Sequence, residues 1–415
     1  MENKVDWVSV LLFTAILLFG WINVYAACYD ESHAAVFDFS TKHCKQILWI
    51  GLSLFFAFGI MLIKPRLFYN TAFIIYLITL VMLVVTLLVG KITKGGVSWI
   101  DFGFFKLQPS EFAKFGTAIA LAKYLSSPDI DYSQLRTKFA VWTIILIPAA
   151  LILLQHDTGS ALVFASFLLP LYREGMSPKI LVTGLVAVAL FVAALLINKY
   201  ILIGILALVM LFYLFVWLNK RSRKHYILAA SLFVAASLFT VSVDILFENV
   251  LQSHQRDRIY VLLGKTEDVS DVGYNVHQSK IAVGSGGLTG KGFLNGTLTK
   301  ANFVPEQETD FIFCTVGEEW GFAGSILLVA AYIGLLLRII RLAERQYSRF
   351  ARFYGYSVAS ILFMHVLINI GMVLGLVPVI GIPLPFFSYG GSSMMAFTIL
   401  FFVFLRQDQE RTRSI

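Results

Sequence analysis

The sequence predicts an all-α polytopic membrane protein, a helical bundle of about ten to twelve transmembrane helices with one large extracytoplasmic loop. Three observations predict it. Of 415 residues, 58% are hydrophobic and only 14% charged, where soluble domains carry about 25% charged residues. Mean hydropathy is +0.78. The apolar residues also fall in runs long enough to cross a bilayer, which takes roughly 20 residues per helix.

Candidate spans run over 7–27, 45–63, 69–90, 109–125, 139–155, 159–173, 179–197, 200–218, 226–246, 311–337, 353–376 and 384–405. Helices satisfy their own backbone groups in lipid, so a bundle follows. The first span is long and lacks a small-residue cleavage site, so it reads as retained. Residues 1–415 form one membrane domain, with 247–310 as a large loop inside it.

Lys and Arg set the orientation. With the N-terminus in the cytoplasm, the cytoplasmic ends hold Lys64, Arg66, Arg136, Lys138, Arg173, Lys220, Arg221, Arg223, Lys224, Arg338, Arg341, Arg345, Arg349 and others. The short outer loops hold only Lys42, Lys45, Lys91, Lys94, Lys106 and Lys199. The loop 247–310 then lies outside and both termini inside. The net charge of +8 faces anionic lipid and calls for no nucleic acid.

Three segments break the apolar pattern on the outer side: "KITKGGVSWIDFGFFKLQPSEFAK", the loop 247–310, and "GLVPVIGIPLPFFSYGGSS". Irregular backbone at membrane depth needs cover from protein or a wet cavity. Their convergence predicts a cavity that opens outward. Pro109 suits the first turn of a helix.

Glu111 and Lys114 are three residues apart and share one helix face. Charge at that depth marks a functional site by default, and Trp99, Gln108 and Ser110 crowd the same end; a structural ion pair is the competing account. Glu318 and Glu319 point in different directions on their helix, one toward water and one toward the core. A structural role is expected for them, with Asp310 as a cap or hinge. In the large loop, Glu267, Asp268, Asp271, Arg256, Arg258, Lys265, Lys280 and Lys291 are by default solvated charges, raised in interest by the neighbouring cavity.

"GSGGLTGKG" is not a phosphate loop, because Ser285 stands where glycine is required and Gly292 where Ser or Thr is. A mobile or tightly turned backbone accounts for it better. Of three cysteines, Cys28 and Cys44 bracket the first outer loop. Spacing leaves a disulfide and two free thiols equally open. The seven histidines are scattered without zinc spacing.

Four stretches, "QSKIAVGSGGLTGKGFLNGT", "FVPEQETDFIFCTVGEEWGF", "SWIDFGFFKLQPSEFAK" and "PLPFFSYGGSS", resemble the SEDS family (shape, elongation, division and sporulation; the RodA, FtsW and SpoVE type), its RodA members most closely. The resemblance implies a peptidoglycan glycosyltransferase of the bacterial cytoplasmic (inner) membrane. Such an enzyme polymerises lipid II on the outer face for cell elongation and shape, beside a class B penicillin-binding protein. A flippase of the same lipid-linked precursor is the alternative. The family's essential Asp falls on Asp268, with Asp271 as fallback because "DVSDVGY" departs from the usual pattern. The implied substrate-binding set is Trp99, Gln108, Glu111, Lys114, Arg258, Gln278 and Lys280. A divalent cation, Mg or Mn, is expected at the diphosphate. The stretch 179–246 reads as three spans where the family has one, an insertion of two extra helices.

Overall fold

The computed structural model describes residues 5–29, 41–93, 96–103, 105–216, 223–249, 253–263, 272–301 and 303–410. Nine of the described helices are long and apolar enough to cross a membrane. They are α1 (Trp7–Ala27), α2 (Lys42–Leu62), α3 (Pro65–Val89), α5 (Leu135–Leu154), α8 (Pro178–Leu196), α9 (Lys199–Val216), α10 (Arg223–Asn249), α14 (Ile312–Glu344) and α15 (Arg349–Val373). Local chemistry sets their starts: Asp6 accepts the Ser9 amide at α1, and Pro65 and Pro178 occupy first-turn positions where a missing N–H costs nothing.

Three other expected spans differ from this pattern. α4 (Pro109–Leu125) begins on its proline but has 17 residues. The segment 159–173 is broken into α6 (Thr158–Val163), a 3-10 turn (Phe164–Phe167) and α7 (Leu168–Arg173). The last expected span, 384–405, starts late: α16 covers Gly391–Gln409. Residues 384–390 form irregular chain because Pro385 and the Gly390–Gly391 pair resist helix.

Two compact units are present, one formed by residues 1–176 with 274–415 and the other by 177–273. In the larger unit α4 is the central helix, with almost every residue buried. It packs on α3, α5, α15 and α16, while α1 lies along α14 and α2 along α16. Gly116 makes the α3 contact close, since a Cβ there would sit 2.4 Å from Thr79 Oγ1. The expected irregular stretch before α4 is a small antiparallel sheet, β1 (Lys91–Thr93), β2 (Gly96–Asp101) and β3 (Lys106–Leu107), in the order β1-β2-β3.

In the smaller unit, α8, α9 and α10 pack together. α11 (Ser253–Leu262) folds back so that Tyr260 meets Phe247 edge to face at 5.1 Å. These join a core of Ala194, Leu195, Leu202 and Val243. The stretch expected as one long loop, 247–310, thus holds α11, α12 (Val272–Ser285) and the short α13 (Thr297–Lys300).

Candidate functional site

The Gln108 end of α4 carries the densest buried polar cluster on that helix. Lys114 Nζ donates to Glu111 Oε1 at 2.8 Å, and both side chains are 1% exposed. Lys114 follows Pro109 by five residues, which puts it about 7.5 Å into the helix. Its ammonium also bonds His365 Nε2 at 2.7 Å and lies over the Phe397 ring, 5.4 Å from the centroid. Glu111 Oε2 is buried and has no hydrogen-bond partner among the described residues. The pair is thus tied together yet keeps one carboxylate oxygen unsatisfied.

Neighbouring polar groups hold the end of α4. Gln108 Nε2 donates to Asp157 Oδ2 at 3.1 Å, and the Gln108 amide donates to Ser392 Oγ at 3.2 Å. Asp157 caps α6 through the Ser160 amide at 2.9 Å. Ser110 Oγ reaches Ser160 Oγ at 3.2 Å. Three segments distant in sequence therefore meet at the first turn of α4.

The irregular chain 374–390 closes this end. Asn369 donates to the carbonyls of Asp310, at 2.9 Å, and Ile382, at 2.8 Å. Ser388 Oγ accepts the Leu384 amide at 2.8 Å and donates to the Thr309 carbonyl at 2.6 Å. The segment is ordered by side chains that replace helical hydrogen bonds. Asp310 does not cap α14: Phe311 holds that position, without a side-chain cap bond.

Glu318 and Glu319 are both buried, against the expectation that one faces water. The reason lies in the glycine-rich stretch. Glu318 accepts the amides of Thr297, Leu298 and Thr299 at 2.8, 3.0 and 2.9 Å, and Lys291 Nζ at 2.7 Å. It serves as an anion at the amino end of α13, which is the structural role expected. α14 is kinked at Gly321 (φ 64°, ψ −158°). Through that kink the Phe322 amide donates to the Gly287 carbonyl and the Ala323 amide to Leu288, at 2.9 and 3.0 Å. A Cβ on Gly290 would stand 2.1 Å from the Glu319 carbonyl oxygen. Gly286 and Gly290 thus serve close backbone packing, the tightly turned reading.

The remaining expected site residues are placed as follows. Trp99 is half-buried on β2, opposite Lys91. Gln278 is half-buried and Lys280 exposed on α12, whose Ser279 donates to the Val373 carbonyl at 3.0 Å. Arg258 is half-buried on α11 in the smaller unit. Asp268 and Asp271 lie outside the described residues. Cys28, half-buried, and Cys44, buried, are free thiols, so the disulfide is not formed.

Sequence reasoning missed His365, Asn369 and Asp157. The signals were present: a His and an Asn four apart in the apolar run "FMHVLINIG" share one helix face, and "HDTGS" has an Asp three residues before a Ser at a helix start.

The fold and the site define a polytopic helical membrane protein with a buried charged centre at one end of its bundle. The chain belongs to the FtsW/RodA/SpoVE family of cell cycle proteins, which it matches over residues 6–203 and 185–413. It is 33% identical to the peptidoglycan glycosyltransferase MrdB of Escherichia coli K12 over 334 residues, 80% of this chain and 76% of that one. The peptidoglycan glycosyltransferase RodA of Treponema pallidum is 28% identical, with 94% of each chain covered. Among solved structures, a chain of a peptidoglycan synthase complex described as coordinating polymerization and crosslinking superposes with a TM-score of 0.73 at 26% identity, with 99% of each chain covered. Thermus thermophilus RodA does so with a TM-score of 0.66 at 25% identity over 99% of each.

Proposed function

We propose that this chain is a peptidoglycan glycosyltransferase that polymerises lipid II into glycan strands. The observation that carries the reading is Lys114, a cation buried beside Glu111 at the loop-built end of the bundle in a chain of this family. A lipid diphosphate leaving group needs a fixed positive charge, and a buried ammonium held by a carboxylate provides one without reorganisation at the moment of reaction.

In this mechanism the acceptor's sugar hydroxyl attacks the anomeric carbon of the donor. The new glycosidic C–O bond forms as the carbon–oxygen bond to phosphate breaks, and the diphosphate leaves with the electron pair. Asp268 takes the hydroxyl proton, an effect typically worth about 10²–10⁴-fold. Lys114 and Arg258 offset charge on the diphosphate, and Glu111 holds Lys114. Trp99, Gln108, Gln278 and Lys280 are assigned to binding lipid II.

A Mg or Mn ion belongs to the proposal only as a companion of the diphosphate. Among the described residues no three His, Cys, Asp or Glu side chains gather as a metal site. The Lys and Arg distribution supports cytoplasmic termini and an outward-facing site in the bacterial inner membrane. A class B penicillin-binding protein, a transpeptidase, is the proposed partner, with elongation and cell shape as the process served.

The deciding experiment gives purified protein labelled lipid II in detergent. Long glycan that disappears with Asp268→Ala supports the enzyme. Transfer of lipid II across liposome bilayers, surviving that substitution with no polymer made, would favour a flippase instead.

A further inference from the structure

We infer that His365 is a positioning residue for Lys114, acting as a neutral hydrogen-bond acceptor that fixes the direction of the ammonium. The inference rests on the proposed glycosyltransferase reading and adds a residue to it.

The geometry settles the tautomer. His365 Nδ1 lies 3.2 Å from the Pro383 carbonyl oxygen, and a carbonyl only accepts, so Nδ1 carries the hydrogen. The other nitrogen, Nε2, then has a lone pair, and Lys114 Nζ lies 2.7 Å from it. An ammonium has three N–H donors and no acceptor. One goes to Glu111 Oε1 at 2.8 Å and one to His365. Two fixed bonds leave the third N–H with a single direction, which is the donor the leaving diphosphate would use. A Lys on a flexible four-carbon stem has no such preference by itself.

The imidazole is fixed in turn. His365 is fully buried and meets the Phe397 ring edge to face at 4.7 Å and 82°. Asn369, one turn further along α15, bonds the carbonyl of Ile382, the residue before Pro383. α15 therefore holds the 382–383 backbone with two side chains, one of which also holds Lys114. Through His365 the ammonium's direction depends on the irregular segment 374–390.

A ring that only filled space would be replaceable by another ring, and an acceptor by another acceptor. His365→Phe keeps the ring and loses both hydrogen bonds. His365→Gln loses the ring but offers an oxygen to Lys114 and an N–H to Pro383. At saturating lipid II, the rate should fall by about 10²-fold in His365→Phe, the scale of a misoriented group, with little change in KM. His365→Gln should keep most of the rate. In a Lys114→Met background, His365→Phe should cost nothing further. A Phe variant as fast as wild type, or a Gln variant slower than Phe, overturns the inference. Solid-state ¹⁵N spectra of histidine-labelled protein in lipid test it apart from activity. His365, assigned by its loss in His365→Gln, should be neutral and protonated on Nδ1 at pH 7, and its Nε2 signal should move in Lys114→Met. An imidazolium or an Nε2–H tautomer refutes the positioning role even if lipid II is polymerised. Wild type that makes no polymer while the spectra are as expected refutes the glycosyltransferase reading instead.

Discussion

Lys114 Nζ lies 2.8 Å from Glu111 Oε1 with both side chains almost wholly excluded from solvent. Taking two charges out of water is costly, and breaking a buried pair by removing one partner costs about 3–5 kcal/mol. Glu111→Ala should therefore destabilise the protein strongly in detergent unfolding, because it strands a cation. The double variant Glu111→Gln with Lys114→Met should recover most of that stability and still make no glycan. A double variant that polymerises would show the pair to be structural only.

Asp268→Ala should abolish polymer while Asp271→Ala retains it, since only one carboxylate can sit in line with the attacking hydroxyl. Loss of a general base costs about 10²–10⁴-fold. Activity lost with Asp271→Ala and kept with Asp268→Ala would exchange their roles.

A chelator should slow polymerisation, and added Mg or Mn should restore it. Such an ion usually binds through one or two carboxylates plus substrate phosphates rather than a protein cage. Without lipid II the protein should therefore bind Mn weakly, as read by electron paramagnetic resonance. Tight stoichiometric Mn in the substrate-free protein would contradict an ion that arrives with the diphosphate.

The helical bundle was legible because hydropathy and helix length are local properties, and Pro109, Glu111 and Lys114 could be placed on one helix by spacing alone. His365 was not, because its partner lies 251 residues away in sequence and the spacing of His365 and Asn369 marks a shared helix face without saying what that face meets. Residues 384–390 fall both in the expected span 384–405, being as apolar as one, and in the interrupted stretch "GLVPVIGIPLPFFSYGGSS"; the chain there is irregular and α16 starts at Gly391. There, tertiary bonds from Ser388 and Asn369 replace the helical ladder. One of Glu318 and Glu319 was expected to face water for a similar reason: α13, whose amides Glu318 accepts, is only four residues long.

The glycine-rich stretch separates close packing from mere flexibility. Gly290 has φ +81° and would place a Cβ 2.1 Å from the Glu319 carbonyl oxygen, whereas Gly284 has open space around its Cβ position. Gly290→Ala should cost at least about 1–3 kcal/mol, the usual penalty of overpacking. Gly284→Ala lies within α12 and should be neutral or stabilising by up to about 1 kcal/mol. Equal effects in detergent unfolding would mean that backbone contact with α14 does not constrain this stretch.

Stability on the acid side should depend on Asp6. Burial pushes its carboxyl up, but the Arg338 guanidinium and the Ser9 hydroxyl and amide outweigh that and hold it at about 2. Arg338 Nε donates to Asp6 Oδ2 at 3.1 Å, tying the start of α1 to the far end of α14. Because the folded value lies below the ordinary 3.8, the ionised carboxylate favours the fold above that pH. Its contribution should vanish as pH falls from near 4 to about 2. Wild type should lose thermal stability through that window relative to Asp6→Asn, which lacks the titrating group but keeps a capping oxygen. Parallel curves for the two proteins over this range would mean that Arg338 does not stabilise the charged form.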